Sequence, residues 1–386
     1  MTAGPIEGGE IVRVGICGVR GMGVSFAHLL VLHPDLEEVH VADLNLSLAQ
    51  TMVDQYHATS ACTSFDRLCE MDLDAIAIFT PPWVHASQAV QALEAGKHVM
   101  SACPVGLTLE ECRDVVNAVE RTGRIYMTAE TSYYYPATIF CREAWANGRF
   151  GEFIYGEGEY YYRPHAYDFW MRDAYANMPP MLYASHSISM IVGTIGRRLA
   201  RVTCVGTPGL HPDAAAFRSR EPWTDNQVSN MTMLAQVEGG GVARINEMRN
   251  VGCSGDHGSI LGTLASVREH SGQAVWDEGP KGTLVDLTAL WQADPQQHPQ
   301  ASIRAKLPAE FEQHDRGTWH KGTHNILADE FVRAVRDNRR PHNHVWNAVK
   351  YCAPGIVAWE SLKQGSAWLD VPDFGEPTDG RAPLEW

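Results

Sequence analysis

Residues 1–130 are predicted to form an α/β domain with a doubly wound parallel sheet. Residues 131–386 are predicted to form an α+β domain on a large open antiparallel sheet. Three observations support this. The stretch IVRVGICGVRGMG, Ile11 to Gly23, is a β-branched run that breaks into glycines at 18, 21 and 23 before the apolar pattern changes period. Strand-like and helix-like segments then alternate as far as about Glu130. Beyond that point most of the apolar runs are short and suit antiparallel strands, with the glycines 239, 240 and 241 placed as a hairpin connection.

The elements follow in order. MGVSFAHLLVLH reads as a helix and EEVHVAD as a strand ending in Asp43. LSLAQTMVDQYH is helical, ACTSF is a short strand and DRLCEM is helix-like. DAIAIFT is wholly apolar at its centre, as a strand buried on both faces should be. VHASQAVQALEAG is a helix that ends at Gly96, and HVMSA is a strand. Thr108 and Glu111 form a capping box before TLEECRDVVNAVERTG, and RIYMTAE closes the series. Pro136 opens a helix that ends near Gly148. FIYGEGEYYY, ARVTCVG, VSNMTMLAQVE, GVARINEMRN, GSILGTLASVRE and QAVWDE each read as one strand. Leu290 to Gly317 is expected to be a long surface excursion. Helices are expected over about 325–336 and 346–362, followed by a Pro/Asp/Gly-rich tail.

Composition narrows the function. A net charge of −15 argues against a nucleic-acid surface. The nine cysteines contain no CxxC and suit reduced thiols in a cytoplasm. No apolar run approaches the ~20 residues of a membrane span, and the acidic N-terminus lacks a signal-peptide core. A cytoplasmic protein without membrane contact is expected.

A strand that ends in glycines and restarts as a helix can bring backbone N–H groups against a diphosphate. Asp43 lies 25 residues after Gly18, near the spacing of a carboxylate that takes adenosine ribose hydroxyls. Together they predict a dinucleotide site, with NAD favoured over NADP because a 2′-phosphate would meet a like charge. The expected ligand positions are the carboxyl ends of the strands: Gly18 to Gly23, Asp43, Thr80 to Pro82, Ser101 to Pro104 and Glu130 to Tyr133.

From Val12 to about Val371 the chain resembles the Gfo/Idh/MocA group of NAD(P)-dependent oxidoreductases. The resemblance is carried by VGICGVRGMG, VADLN, IAIFTPPWVH, GKHVMSACP, the GRFGE turn and HNILADEFVRAV…RP. It implies an N-terminal Rossmann domain, a C-terminal open sheet used for substrate binding and oligomerisation, a sugar or polyol substrate, and homodimers or homotetramers. The implied cofactor residues are Gly18, Arg20, Gly21, Met22, Gly23, Asp43, Thr80, Pro81, His85, Ser101 and Cys103.

The sequence departs from the family pattern at two places. Most members carry Glu-Lys-Pro after GKHV, with the lysine helping proton transfer, whereas this chain has Ser101-Ala102-Cys103-Pro104. Cys103 supplies no fixed positive charge and is expected to be a small filler near the cofactor. Where many members have Asp-x-x-x-His, this chain has Tyr183-x-x-His186, which resembles the NAD-dependent glycosidase branch that includes the α-N-acetylgalactosaminidases. Residues three apart on a helix share a face. That branch implies transient oxidation at C3 of a sugar, loss of the C2 proton, expulsion of the C1 leaving group, addition of water and re-reduction. Neutral His186 is assigned to the C3 hydroxyl and Tyr183 to the C2 proton, the phenol needing a nearby positive charge to ionise.

The aromatic segment after Glu157, which carries Arg163, His165 and Arg172, is expected together with Tyr133 and Tyr135 to line the sugar, with Arg163 or Arg172 able to hold an anionic group. A sulfoquinovoside would be such a substrate. His320 and His324 are spaced i, i+4 but lack a third ligand, so no metal is expected. Two alternatives stay open: a conventional NAD-dependent sugar or polyol dehydrogenase, and a non-catalytic NAD-binding protein.

Overall fold

The computed structural model describes residues 12–163, 178–208, 226, 228–314 and 319–386. They fall into two compact units. One comprises Met1–Thr131, Ser302–Val349 and Phe374–Trp386, the other Ser132–Ala301 and Lys350–Asp373.

The first unit begins with β1 (Val12–Cys17), α1 (Met22–Leu32), β2 (Leu36–Ala42), α2 (Leu46–Tyr56), β3 (Ser60–Cys62), α3 (Phe65–Glu70) and β4 (Ala75–Ile78). It continues with α4 (His85–Glu94), β5 (His98–Ser101), α5 (Leu109–Thr122) and β6 (Tyr126–Thr128). Its six strands lie in the order β3-β2-β1-β4-β5-β6, and every pair is parallel. The order reverses between β1 and β4, and such a switch point is where these sheets leave a crevice for ligands. Val14 and Ile16 of β1 and Ile76 and Ile78 of β4 are fully buried. Each contributes roughly 1.5–3 kcal/mol on removal from water.

Local sequence sets the helix ends. Thr108 Oγ1 accepts from the Glu111 N–H at 3.1 Å, and the Glu111 carboxylate accepts from the Thr108 N–H at 3.1 Å, so the expected capping box is present. Asn45 and Ser64 cap α2 and α3 by accepting from the Ser47 and Arg67 N–H groups.

The second unit contains α6 (Pro136–Ala146), β7 (Phe153–Tyr161), a 3₁₀ turn (Pro180–Tyr183) and α7 (Ser185–Ile195). These are followed by β8 (Leu199–Pro208), β9 (Val228–Val237), β10 (Val242–Met248), β11 (Gly255–Gly262), β12 (Ala265–His270), β13 (Gln273–Glu278) and β14 (Thr283–Asp286). The chain then runs through α8 (Leu287–Ala293), α9 (Ala301–Arg304), α10 (Thr323–Arg336), α11 (Val345–Lys363) and β15 (Leu369–Asp370). The nine strands lie in the order β14-β13-β12-β11-β7-β10-β9-β8-β15. Every pair is antiparallel except β7 with β10.

Three expectations are corrected. GSILGTLASVRE is a hairpin of two strands, β11 and β12, because the chain reverses at Thr263-Leu264. The stretch 290–317 is not a bare surface excursion: within its described part short helical turns bury Ile303 and Phe311. Residues 302–349 and 374–386 belong with the parallel sheet, not with the second domain. There α10 packs on α1 and β1, and Ser25 Oγ of α1 hydrogen-bonds His314 Nε2 at 3.0 Å and His324 Nδ1 at 2.9 Å. His324 is thereby part of a buried hydrogen-bonded contact between helices.

Candidate active site

The turn after β1 is shaped by close backbone approach. Gly18 has φ +87°, and a Cβ there would lie 2.5 Å from the Phe79 carbonyl oxygen. A Cβ on Gly23 would lie 1.9 Å from the Gly18 carbonyl oxygen. The loop therefore accepts only glycine at these positions, and α1 begins one residue past Gly21, with Met22 and Gly23 in its first turn. Arg20 is exposed, and its carbonyl accepts from the Gly23 N–H at 2.9 Å. Asp43, half-buried beyond β2, accepts from the Val19 N–H at 3.0 Å and the Asn45 N–H at 2.8 Å. A carboxylate has about four lone-pair sites, so two remain for ribose hydroxyls. A bare backbone cradle at a helix N-terminus with a carboxylate at the next strand end fits a dinucleotide.

The other predicted cofactor residues divide into two kinds. Thr80 donates to Gln88 Oε1 at 2.6 Å, and Pro81 precedes the short 3₁₀ turn before α4. His85 is fully buried, with Nδ1 2.9 Å from the Pro104 carbonyl and Nε2 2.7 Å from the Thr80 carbonyl. Burial lowers its pKa, and its ring contacts brace the loops after β4 and β5. Ser101 is also fully buried at the end of β5. Cys103 is more than a filler. Its thiol donates to Glu130 Oε2 at 3.2 Å and lies 3.3 Å from Thr128 Oγ1.

The second unit holds the Tyr-x-x-His pair. Tyr183 ends the 3₁₀ turn and His186 lies in the first turn of α7, with Ala184 between the two elements, so the pair does not sit on one continuous α-helix. They still meet: His186 Nε2 is 3.2 Å from Tyr183 Oη, and both side chains are buried. The strand beneath allows this. A Cβ on Gly158 would lie 2.0 Å from the Ser187 carbonyl oxygen, so only glycine lets α7 settle on β7 here.

Around the pair stand residues that the sequence reading did not single out. The Tyr160 ring lies 5.1 Å from the His186 ring, and Tyr162 Oη donates to Tyr160 Oη at 2.5 Å. Glu247 is the registered neighbour of Tyr160 on β10 and is fully buried. It accepts from Ser187 Oγ and pairs with Arg249 at 2.9 Å. Burial pushes its carboxyl up to about 7, against the opposing pull of Arg249, Ser187 and His186. Burial raises the Tyr160 phenol well above its ordinary value, and Tyr162, Tyr183, Tyr135 and Asp256 add to that rise. One signal was available for Glu247: it alternates with Ala243 and Ile245 on the buried face of β10, and a carboxylate in that register is unusual.

The predicted sugar-lining residues are dispersed. Tyr135 reaches Tyr160 electrostatically. The Tyr133 ring lies under the Arg142 guanidinium at 3.9 Å and against Gly193, which is a packing arrangement. Arg163 is exposed just past β7. His165 and Arg172 lie outside the described residues.

The profile of the Gfo/Idh/MocA oxidoreductases, an oxidoreductase family with an NAD-binding Rossmann fold, matches residues 12–130. A glycosyl hydrolase family 109 protein of Saccharopolyspora erythraea is 25% identical, the alignment covering 97% of this chain and 85% of that protein. One of Shewanella baltica is 22% identical over 95% of this chain and 85% of its own length. Among solved structures, levoglucosan dehydrogenase in complex with NADH and levoglucosan superposes with a TM-score of 0.73 at 18% identity, covering 94% of this chain and 100% of that one. Scyllo-inositol dehydrogenase from Lactobacillus casei with NAD(H) and scyllo-inositol gives a TM-score of 0.70 at 14% identity, covering 93% and 99%. Those two likenesses establish the shared fold. Residues 12–130 thus match the NAD-binding Rossmann fold of the Gfo/Idh/MocA oxidoreductase family, and the chain along its length is similar to glycosyl hydrolase family 109 proteins.

Proposed function

We propose that this protein is an NAD-dependent glycoside hydrolase in which Tyr183 and His186 handle the protons. The observation that carries the reading is the buried contact of 3.2 Å between His186 Nε2 and Tyr183 Oη, in a chain that has lost the family lysine. Full-length similarity to glycosyl hydrolase family 109 proteins supports it.

Bound NAD supplies the transient oxidation at C3 of the sugar and its reversal. The chain's own residues do the rest. The glycine turn holds the diphosphate through backbone N–H groups, and Asp43 offers its remaining lone pairs to the ribose. His186, acting as a neutral imidazole, takes the proton of the C3 hydroxyl. With C3 a ketone, the C2 proton is acidic because the carbanion it leaves is an enolate. Tyr183 as phenolate removes that proton, the C1–O bond breaks, and the aglycone leaves with the electron pair. Water adds its hydroxyl at C1 while its other proton goes to the aglycone oxygen, Tyr183 returns the proton to C2, and His186 returns the other to the C3 oxygen. The sum is hydrolysis with no net redox change.

Aryl glycosides of neutral and sulfonated sugars test this, incubated with purified protein and no added cofactor. Phenol release with deuterium exchange at C2 is the expected result. Stoichiometric NADH from free sugars would instead make the protein a dehydrogenase. Release of phenol from sulfonated sugars alone would identify an anionic substrate.

A further inference from the structure

We propose that Arg249 is the cation that supports the ionised form of Tyr183, and that Glu247 holds it in place as a second positioning residue. The proposal rests on the reading of Tyr183 as a proton acceptor. The Arg249 guanidinium carbon lies 5.4 Å from the centre of the Tyr183 ring, 5.6 Å from that of Tyr160 and 5.2 Å from that of Tyr162. Its side chain is 11% exposed, so water screens the charge poorly. Glu247 fixes it from β10, with a carboxylate oxygen 2.9 Å away, and Glu247 is itself held by the Ser187 hydroxyl at the start of α7.

Simple electrostatics gives the consequence. A cation within about 4–6 Å favours the ionised form of an acid, and a guanidinium stays charged at any working pH. A buried phenol without such a neighbour keeps its proton. Among the described residues of this unit, the titratable groups that face this cluster include His186 on α7, Tyr160 on β7 with Tyr162 beyond it, Tyr135 before α6 and Asp256 on β11. Tyr160 is held neutral by burial and by its neighbours, and Tyr183 is the phenol that already meets His186. Arg249 is also neutralised in part by Glu247, which makes it a poor receptor for an anionic sugar and a suitable tuner of a neighbouring phenol.

The two positioning residues act in opposite directions, and this makes the proposal testable. The phenolate absorbance of the full-length purified protein is titrated, with Tyr183→Phe subtracted to isolate Tyr183. Arg249→Gln should raise the Tyr183 midpoint by about one pH unit or more, and Glu247→Gln should lower it, since the counter-charge of Glu247 is then removed. Arg249→Lys should restore most of the shift. The acidic limb of the kcat profile should move with the same signs. An unchanged midpoint in Arg249→Gln, or shifts of the same sign in both variants, overturns the proposal. If Arg249→Gln fails to fold because Glu247 is left buried and unpaired, Glu247→Gln alone decides it, since its midpoint must fall. Should Tyr183→Phe retain full glycosidase activity, the functional reading fails while the titration still reports on Arg249.

Discussion

The cradle at the end of β1 is made of backbone, and the cluster around Tyr183 is made of side chains brought together from separate strands. In the cradle, Gly18, Gly23 and the first turn of α1 are contiguous in sequence, and Asp43 ties in from the adjacent strand. In the cluster, Tyr160 comes from β7, Tyr183 and His186 from either side of Ala184, and Glu247 and Arg249 from the end of β10. A backbone site tolerates drift in most side chains but no added Cβ at its glycines. A side-chain site depends on register, because a slip of one residue on β10 would turn Glu247 to the other face.

Substitutions can separate the two regions. The largest effect is expected at the pair itself: His186→Asn and Tyr183→Phe should each lower kcat about 10²–10⁴-fold. NAD affinity, read by calorimetry, should be unchanged in both. If either variant loses NAD binding, the regions are not independent. Next come the two glycines. Gly23→Ala and Gly158→Ala each force a methyl group into a backbone carbonyl and should cost about 1–3 kcal/mol in denaturant unfolding. Gly23→Ala should weaken NAD binding and leave the tyrosine titration intact, whereas Gly158→Ala should disturb the titration and leave NAD binding intact.

A smaller effect concerns pH. The folded-state pKa of Glu247 is raised to about 7, above its unfolded value, so the folded protein holds that proton longer. Stability from this group is present in acid and is lost as pH rises from the ordinary carboxylate range through about 7. Glu247→Gln should flatten that decline in melts across the interval, and an unaltered slope would rule out Glu247 as its source. The smallest effect is expected at Thr108→Ala, which removes the capping box of α5 for ~1 kcal/mol and should leave both NAD binding and turnover unchanged.

Particular residues show what could be read in advance. The capping box at Thr108 and Glu111 is a local signal and appears as expected. The parallel order of β1 to β6 follows from alternating apolar strands and helices. The position of His85 after β4 suggests a ligand contact, and nothing local in sequence shows that both ring nitrogens face backbone carbonyls of two loops. The pairing of Cys103 with Glu130 joins positions 27 residues apart, and no spacing rule connects them. The hairpin at Thr263-Leu264 was missed because GSILGTLASVRE keeps a strand-like composition through the reversal.

By itself the sequence determined the glycine turn, the carboxylate at the next strand end and the Tyr-x-x-His pair. Each depends on neighbours within a few residues or on a known interval. Tertiary structure alone decided that residues 302–349 join the parallel sheet, that Gly158 seats α7 on β7, and that Glu247 and Arg249 stand beside Tyr183. Those outcomes depend on strand register and on which faces meet across the sheet, and periodicity along one strand carries no information about its partner's register.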